Sequence, residues 1–282
     1  MARPSADLYV QIPAYRDAEL APTLRSLYRN ASGRHRLRVR VLWQYGDGEV
    51  LPRDVLRLPG LEVEAVAAAN SEGCNWARRR LQATWRGEQY TALLDSHHRF
   101  ARDWDHVSIE MLEGLRDTGV RKPLLTAYLP DYDPARPACR QRRPNKIYPY
   151  RRDTGVLTRL QCQPIRHWRR LDAPIPADFL SLHFVLTDGR LNRDVEMDPT
   201  VYFFGDEVLT SVRVFAAGYR LFHPHRVLGW HAYDRARRVA HWADHDGFAD
   251  RHRNSLVWLR RYFASPAAAR FEAYTGVPLV IS

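Results

Sequence analysis

Lysine is almost missing from this chain. Of 43 basic residues only Lys122 and Lys146 are lysine, and the other 41 are arginine. Neither lysine follows the glycine-rich run of a P-loop, and no G-x-G-x-x-G fingerprint occurs, so a P-loop enzyme and a dinucleotide reductase are unsupported. No G-x-S-x-G elbow occurs, which removes the hydrolase triad of that type. Cysteine is scarce: Cys74, Cys139 and Cys162 are too few and too scattered for a disulfide framework or a zinc cluster. A reducing, cytoplasmic setting is the expectation. No apolar run approaches membrane-spanning length, and mean hydropathy is −0.48, so no membrane span is expected. The opening residues, MARPSADLYVQIPAY, have no apolar core of a signal peptide.

What is present is an ordinary globular balance. In 282 residues, 45% are hydrophobic and 27% charged, enough for a sizeable core and too apolar for global disorder. The length suits one large domain, or one domain with an appendage. Net charge is +11. The arginine excess fits codon usage in a GC-rich genome, and it also fits phosphate recognition, because a guanidinium fork matches phosphate oxygens. A basic balance favours an anionic partner without choosing between nucleotide, nucleic acid and membrane. The arginines are spread over the whole chain rather than gathered in one stripe.

Strand and helix patterns alternate through the first half. Residues 8–12 read as a strand ended by Pro13. Asp17 is placed to cap a helix running to about Ala31, with Leu20, Leu24, Leu27 and Tyr28 at helical spacing. Residues 38–44 and 61–66 read as strands, and 72–84 as a helix. Residues 90–94 are almost continuously apolar and run into Asp95, the pattern of a strand buried on both faces of a parallel sheet. Asp105 is placed to cap a helix to about Asp117, and 124–128 reads as a strand. The alternation predicts an α/β open sheet. Residues 130–152, rich in proline, arginine and tyrosine, read as a long surface loop. Residues 161–182 are expected to return to the sheet. Residues 199–218 read as a turn and a helix, 219–230 as a strand pair ending at His231, and 248–263 as a helix.

The sharpest local signal is Asp95-Ser96-His97. An acid at the carboxyl end of a buried parallel strand stands where open α/β sheets place ligands. Two residues on, His97 returns to the same side of an extended chain, so carboxylate and imidazole reach one metal ion. Alone, the triplet equally fits a turn-capping aspartate beside a surface histidine, with His98 solvated. Downstream, Asp206 and Glu207 follow an aromatic-glycine turn, where they would grip sugar hydroxyls or favour a helix N-terminus. His231 ends a strand, with His223 and His225 as competing candidates. Gly73 to Arg78 opens a helix and suits an anion.

Together these blocks resemble a known family. Ile12-Pro13-Ala14-Tyr15-Arg16-Asp17, Gly73 to Arg78, Trp85 to Tyr90, Leu94 to Phe100, Phe204 to Glu207, Gly218 to Phe222 and His231-Ala232-Tyr233 occur in order along nearly the whole chain. They resemble the GlcNAc-transferases that modify hydroxyproline on a eukaryotic ubiquitin-ligase adaptor, and their bacterial relatives. The D-x-H triplet is also similar to that of the mucin-type GalNAc-transferases. Two positions depart: the family commonly has methionine at His98 and a proline near Cys74.

The resemblance implies a GT-A, Rossmann-like open sheet over residues 1–235, with a helical extension packed on it over 236–282. It implies a UDP-sugar donor, UDP-GlcNAc first, transferred with retention to a hydroxyl of a peptide, protein or small metabolite. Asp95, His97 and His231 match the ligands of a divalent metal, manganese first. Ile12, Pro13, Tyr15, Arg16, Arg78, Asp95 and Ser96 match the nucleotide-sugar positions, and Asp206 and Glu207 the acidic pair at the donor sugar. One alternative is another UDP-hexose on a polysaccharide or natural-product acceptor, which donor screening separates. A second is a basic nucleic-acid-binding protein, which needs aromatics interleaved with basic residues on one face. Residues 148–152 have that mixture only briefly, so nucleic acid is not the expected partner.

Overall fold

The computed structural model describes residues 7–150, 157–234 and 238–280, with backbone only at 137–139. The strands in chain order are β1 (Asp7–Tyr15), β2 (Arg36–Tyr45), β3 (Leu61–Ala67), β4 (Tyr90–Leu94), β5 (His98–Phe100), β6 (Pro123–Thr126), β7 (Tyr132–Asp133), β8 (Arg136–Arg140), β9 (Asn145–Tyr150), β10 (Arg159–Pro164), β11 (Ile175–Ala177), β12 (Phe184–Asp188), β13 (Arg220–His223) and β14 (Gly229–His231). The helices are α1 (Leu20–Arg29), α2 (Arg53–Leu56), α3 (Cys74–Gln82), α4 (Trp104–Asp117), α5 (Leu191–Asp194), α6 (Asp206–Ala216), α7 (His241–Asp244), α8 (Phe248–Phe263) and α9 (Pro266–Thr275).

Eight strands form one sheet in the order β11-β13-β6-β12-β4-β1-β2-β3. All run one way except β12 and β11, which oppose their neighbours. Alternation decides which residue meets which layer. Leu8, Val10, Ile12 and Ala14 of β1 join the core shared with Leu20, Leu24 and Leu27 of α1 and Leu112 of α4. Tyr9 points the other way and donates its hydroxyl to the Leu81 carbonyl of α3. Gln11 is also on that face, held by Thr91 Oγ1 and Asn192 Oδ1. Both sides of β1 and β4 are therefore covered, which is why they are mostly apolar, with Gln11 and Thr91 paired to each other. A further cluster joins α6, α8 and α9 through Val208, Val212, Leu259, Phe263 and Phe271.

Several elements differ from the sequence reading. β1 does not stop at Pro13; it runs to Tyr15 beside β2, while β4 pairs only with Leu8 to Gln11, so no β4 ladder bond is broken there. The stretch after Pro130 is not one loop: it carries β7 and β8 as a hairpin, and β9 paired with β10. Of that stretch, residues 151 and 152 lie outside the described residues. The expected pair β13 and β14 separates, β13 joining the main sheet beside β6 and β14 pairing with β5. β12, lodged between β4 and β6, has no counterpart in the sequence reading. Asp105 does not cap α4; its carboxylate accepts from the Ser32 amide and hydroxyl. Among the described residues no helix is long and apolar enough to cross a membrane.

Candidate active site

A cavity of about 700 Å³ opens where the sheet order turns, beyond the carboxyl ends of β1 and β4. That is the crevice in which open α/β sheets hold ligands. Asp95 stands one residue past β4, and its N–H donates to the His183 carbonyl. His231 ends β14, whose pairing with β5 carries it back over the same spot. One donor atom each from Asp95, His97 and His231 lies within 4.8 Å of the others.

The protonation of His97 follows from its neighbours. Asp17 Oδ2 lies 2.7 Å from His97 Nδ1 and 2.6 Å from Ser96 Oγ, so Nδ1 carries the proton and Nε2 presents its lone pair. A buried carboxylate behind an imidazole is the usual support of a metal-ligating histidine. The Nε2 lone pair faces Asp95 Oδ2 at 3.6 Å, and His231 Nε2 is 3.3 Å from the same oxygen. One hard oxygen and two imidazoles suit a divalent transition metal such as manganese. In this structure the guanidinium of Arg238 donates to His97 Nε2, with its other nitrogen on the carbonyls of Ala232 (2.9 Å) and Asp234 (3.1 Å).

Arg78 ties the early and late parts of the site together. Its guanidinium lies 3.5 Å from Asp95 Oδ1 and 3.1 Å from Asp206 Oδ2, and is buried. Burial works to raise the Asp95 pKa. The hydrogen bond from His231 and the charge of Arg78 outweigh it and hold the carboxylate well below its ordinary range. Asp206 goes the other way: burial raises it, and Arg78 only partly offsets this.

Glu207 is enclosed by donors. Tyr128 donates to Oε2 at 2.6 Å; Ser181 Oγ and the Leu182 amide donate to Oε1 at 2.8 and 3.0 Å. His183 Nε2 accepts from the Leu129 amide, so its Nδ1 proton points to Ser181 Oγ, 3.0 Å away. A relay thus runs from His183 through Ser181 to Glu207. Burial and the neighbouring Asp206 raise the Glu207 pKa to about 7. His183 stacks on His231 at 4.3 Å, and burial holds both imidazoles neutral, well below the usual histidine range.

The family profile described as Glycosyltransferase (GlcNAc) matches residues 7–57 and 50–270. The chain belongs to this family of glycosyltransferases. No curated protein matches it. Among solved structures, GalNAc-T7 with UDP, GalNAc and Mn²⁺ is similar at TM-score 0.61 and 13% identity, over 82% of this chain and 45% of that one. The glycosyltransferase therefore spans less than half the length of GalNAc-T7. TarS residues 1–349 of S. aureus gives TM-score 0.54 and 10% identity over 94% of this chain and 74% of that one. The mannosyltransferase PcManGT of Pyrobaculum calidifontis, with GDP-Man and Mn²⁺, gives 0.51 and 14% over 96% and 75%. At such identities the likeness establishes the GT-A fold of this glycosyltransferase.

Of the residues singled out in the sequence, Pro13, Tyr15, Arg78, Asp95, Ser96, His97, Asp206, Glu207 and His231 all line the cavity of the glycosyltransferase. Ile12 is in the core instead, because β1 alternates, and Arg16 is held away by Asp244 and Glu49. His223 is spent on the Ile147 amide and the Thr126 carbonyl. His98, expected in solvent, is completely buried with Nδ1 on the Asp95 carbonyl. Asp17, Ser181, His183, Tyr128 and Arg238 escaped the sequence reading. Asp17 had a signal: it closes the same Ile-Pro-Ala-Tyr-Arg-Asp block.

Proposed function

We propose that this glycosyltransferase moves a sugar, GlcNAc first, from a UDP donor to a hydroxyl acceptor, with retention and with a divalent metal at Asp95, His97 and His231. The convergence of those three donor atoms at the sheet's switch point, with Asp17 fixing the His97 tautomer, carries the reading. The bound metal would supply positive charge to the donor diphosphate. Arg78 adds a buried cation beside it, stabilising charge where the glycosidic bond breaks. Tyr15 and Pro13 face the nucleotide side of the cavity. GalNAc-T7 with UDP and Mn²⁺, and TarS in complex with UDP-GlcNAc (TM-score 0.53, 11% identity, 92% and 73% coverage), support the donor class.

Glu207 and Asp206 orient rather than attack. Each Glu207 oxygen already accepts a hydrogen bond, and Asp206 is divided between the Glu207 amide and Arg78. Positioned groups of this kind act on the alignment of sugar and hydroxyl, so their loss falls on turnover. UDP release is measured with a panel of UDP-sugars and Mn²⁺. UDP-GlcNAc should be the preferred donor, EDTA should abolish release, and His231→Ala should lower turnover at least a hundredfold. Full activity in EDTA would refute the metal assignment, and preference for another UDP-hexose would move the donor.

A further inference from the structure

Part of the cavity lining is built of rings. Phe203 and Phe204 immediately precede the Gly205-Asp206-Glu207 turn. Phe203 meets Phe204 at 5.1 Å and Trp242 of α7 at 5.4 Å; Phe204 meets His252 of α8 at 5.3 Å. Phe248 closes the circuit, 5.6 Å from Trp242 and 5.8 Å from His252. All five side chains are only half-buried, and four of them line the cavity. Leu160 and Leu256 extend the same surface.

The polar groups on this wall are as telling as the rings. Among the described residues the cavity is lined by four carboxylates (Asp17, Asp95, Asp206, Glu207) and one carboxamide, Gln44, and none of them comes from β10, α7 or α8, which supply Arg159, Leu160, Trp242, His252 and Leu256 beside the rings. A polyhydroxylated glycan needs such acceptors for its hydroxyls, and unpaired hydroxyls are costly to desolvate. The wall instead offers a cation and an imidazole. The Arg159 guanidinium lies over the Phe204 ring at 4.6 Å, is exposed, and forms no ion pair among the described residues. His252 Nδ1 is buried without a hydrogen-bond partner.

We infer that this shelf is the acceptor site, and that the acceptor is a small aromatic acid carrying the accepting hydroxyl: a flat apolar ring for Phe204 and Trp242, an anionic group for Arg159. The inference rests on the glycosyltransfer reading above. In the transfer, the acceptor oxygen forms its bond to the anomeric carbon. The bond from that carbon to the donor diphosphate breaks and its electron pair leaves with UDP. The hydroxyl proton passes to the departing phosphate oxygen or to solvent.

The test uses the full chain with its preferred UDP-sugar and Mn²⁺, and four acceptor probes: a hydroxyphenyl carboxylic acid, the matching neutral phenol, a linear oligosaccharide and a hydroxyproline peptide. The acid should be glycosylated best. Phe204→Ala and Trp242→Ala should each raise its KM about tenfold, the scale of one lost aromatic contact, with the UDP Kd unchanged. Phe204→Tyr should restore a wild-type KM. Arg159→Ala should erase the preference for acid over neutral phenol. Preferential transfer to the oligosaccharide or peptide, or unchanged KM in both alanine variants with unchanged melting, overturns the shelf assignment while leaving the transferase intact. Calorimetry of UDP with Mn²⁺ tells the two levels apart: absent UDP binding in the wild type removes the donor reading, and this inference with it.

Discussion

The imidazole of His97 is wired to Asp17 on one side and to Arg238 on the other. Both attachments bear on how tightly a metal is held. Asp17→Asn weakens the partner that fixes the tautomer, so Mn²⁺ affinity measured by calorimetry should fall about 10–100-fold, the usual effect of losing such a support. Arg238→Met should act oppositely. Its guanidinium uses the lone pair a metal needs, and a hydrogen bond from a charged donor contributes about 1.5–3 kcal/mol. Mn²⁺ should then bind at least several-fold more tightly in the absence of nucleotide. Equal affinities in wild type and both variants would show that neither attachment governs the ligand. Glu207 makes a prediction in pH. Its pKa is raised to about 7 in the fold from an ordinary 4.5. Below about 4.5 both folded and unfolded chains are protonated there, and the Glu207 contribution is fully present. Between about 4.5 and 7 the folded chain alone retains the proton, so stability is lost as pH rises. The buried His98, His183 and His231, held neutral, slope the other way. The diagnostic is therefore a difference: the stability of wild type relative to Glu207→Gln should shrink from pH 4.5 to 7.5 in urea titrations. A pH-independent difference would refute the raised pKa.

Elements fix how far these side chains can be trusted to converge. α6 begins at a glycine with φ of 90°, and a Cβ there would lie 2.5 Å from Leu259 Cδ1 and 2.9 Å from Leu157 Cδ1. Gly205→Ala should therefore both strain the backbone and push α8 away, lowering stability by about 1–3 kcal/mol. Turnover should fall with it, because Asp206 and Glu207 are the first residues of that helix. Normal melting and normal kinetics would sink the argument. The same scale shows what a sequence can display. β4 was readable because burial at all five positions leaves an almost wholly apolar run, β2 and β3 because apolar and charged residues alternate along them, and α8 because its stripe repeats at helical spacing. β12 was not: Phe184 to Asp188 is only five residues, with Gly189 marking its end and no breaker at its start, yet it fills the gap between β4 and β6. β7 to β10 were hidden by prolines and arginines that suit a loop. The D-x-H carboxylate and imidazole were legible from local spacing. Asp17 and His183 were not, because their roles exist only through partners 80 residues away or across a strand, as with His97 and Leu129. His98 looked polar and exposed, but β5 folds it beneath the site.

The molecule as a whole joins its metal-ligand candidates across a long stretch of chain, His97 before β5 and His231 at the end of β14. The sheet order adds a constraint in time. β4, buried at all five positions, has β1 on one edge and β12 on the other. During synthesis β12 leaves the ribosome more than ninety residues after β4, roughly 5–20 s at ordinary elongation rates. Through that interval the nascent chain carries an apolar strand with an unsatisfied edge, the template on which chains aggregate. A fragment of residues 1–121, ending before β6, should accumulate as insoluble material that chaperones bind, whereas chains extending past β12 should become soluble. A soluble, folded monomer from residues 1–121 would show that the edge is harmless. The strand that closes the catalytic sheet thus also sets how long each newly made copy depends on cellular folding assistance.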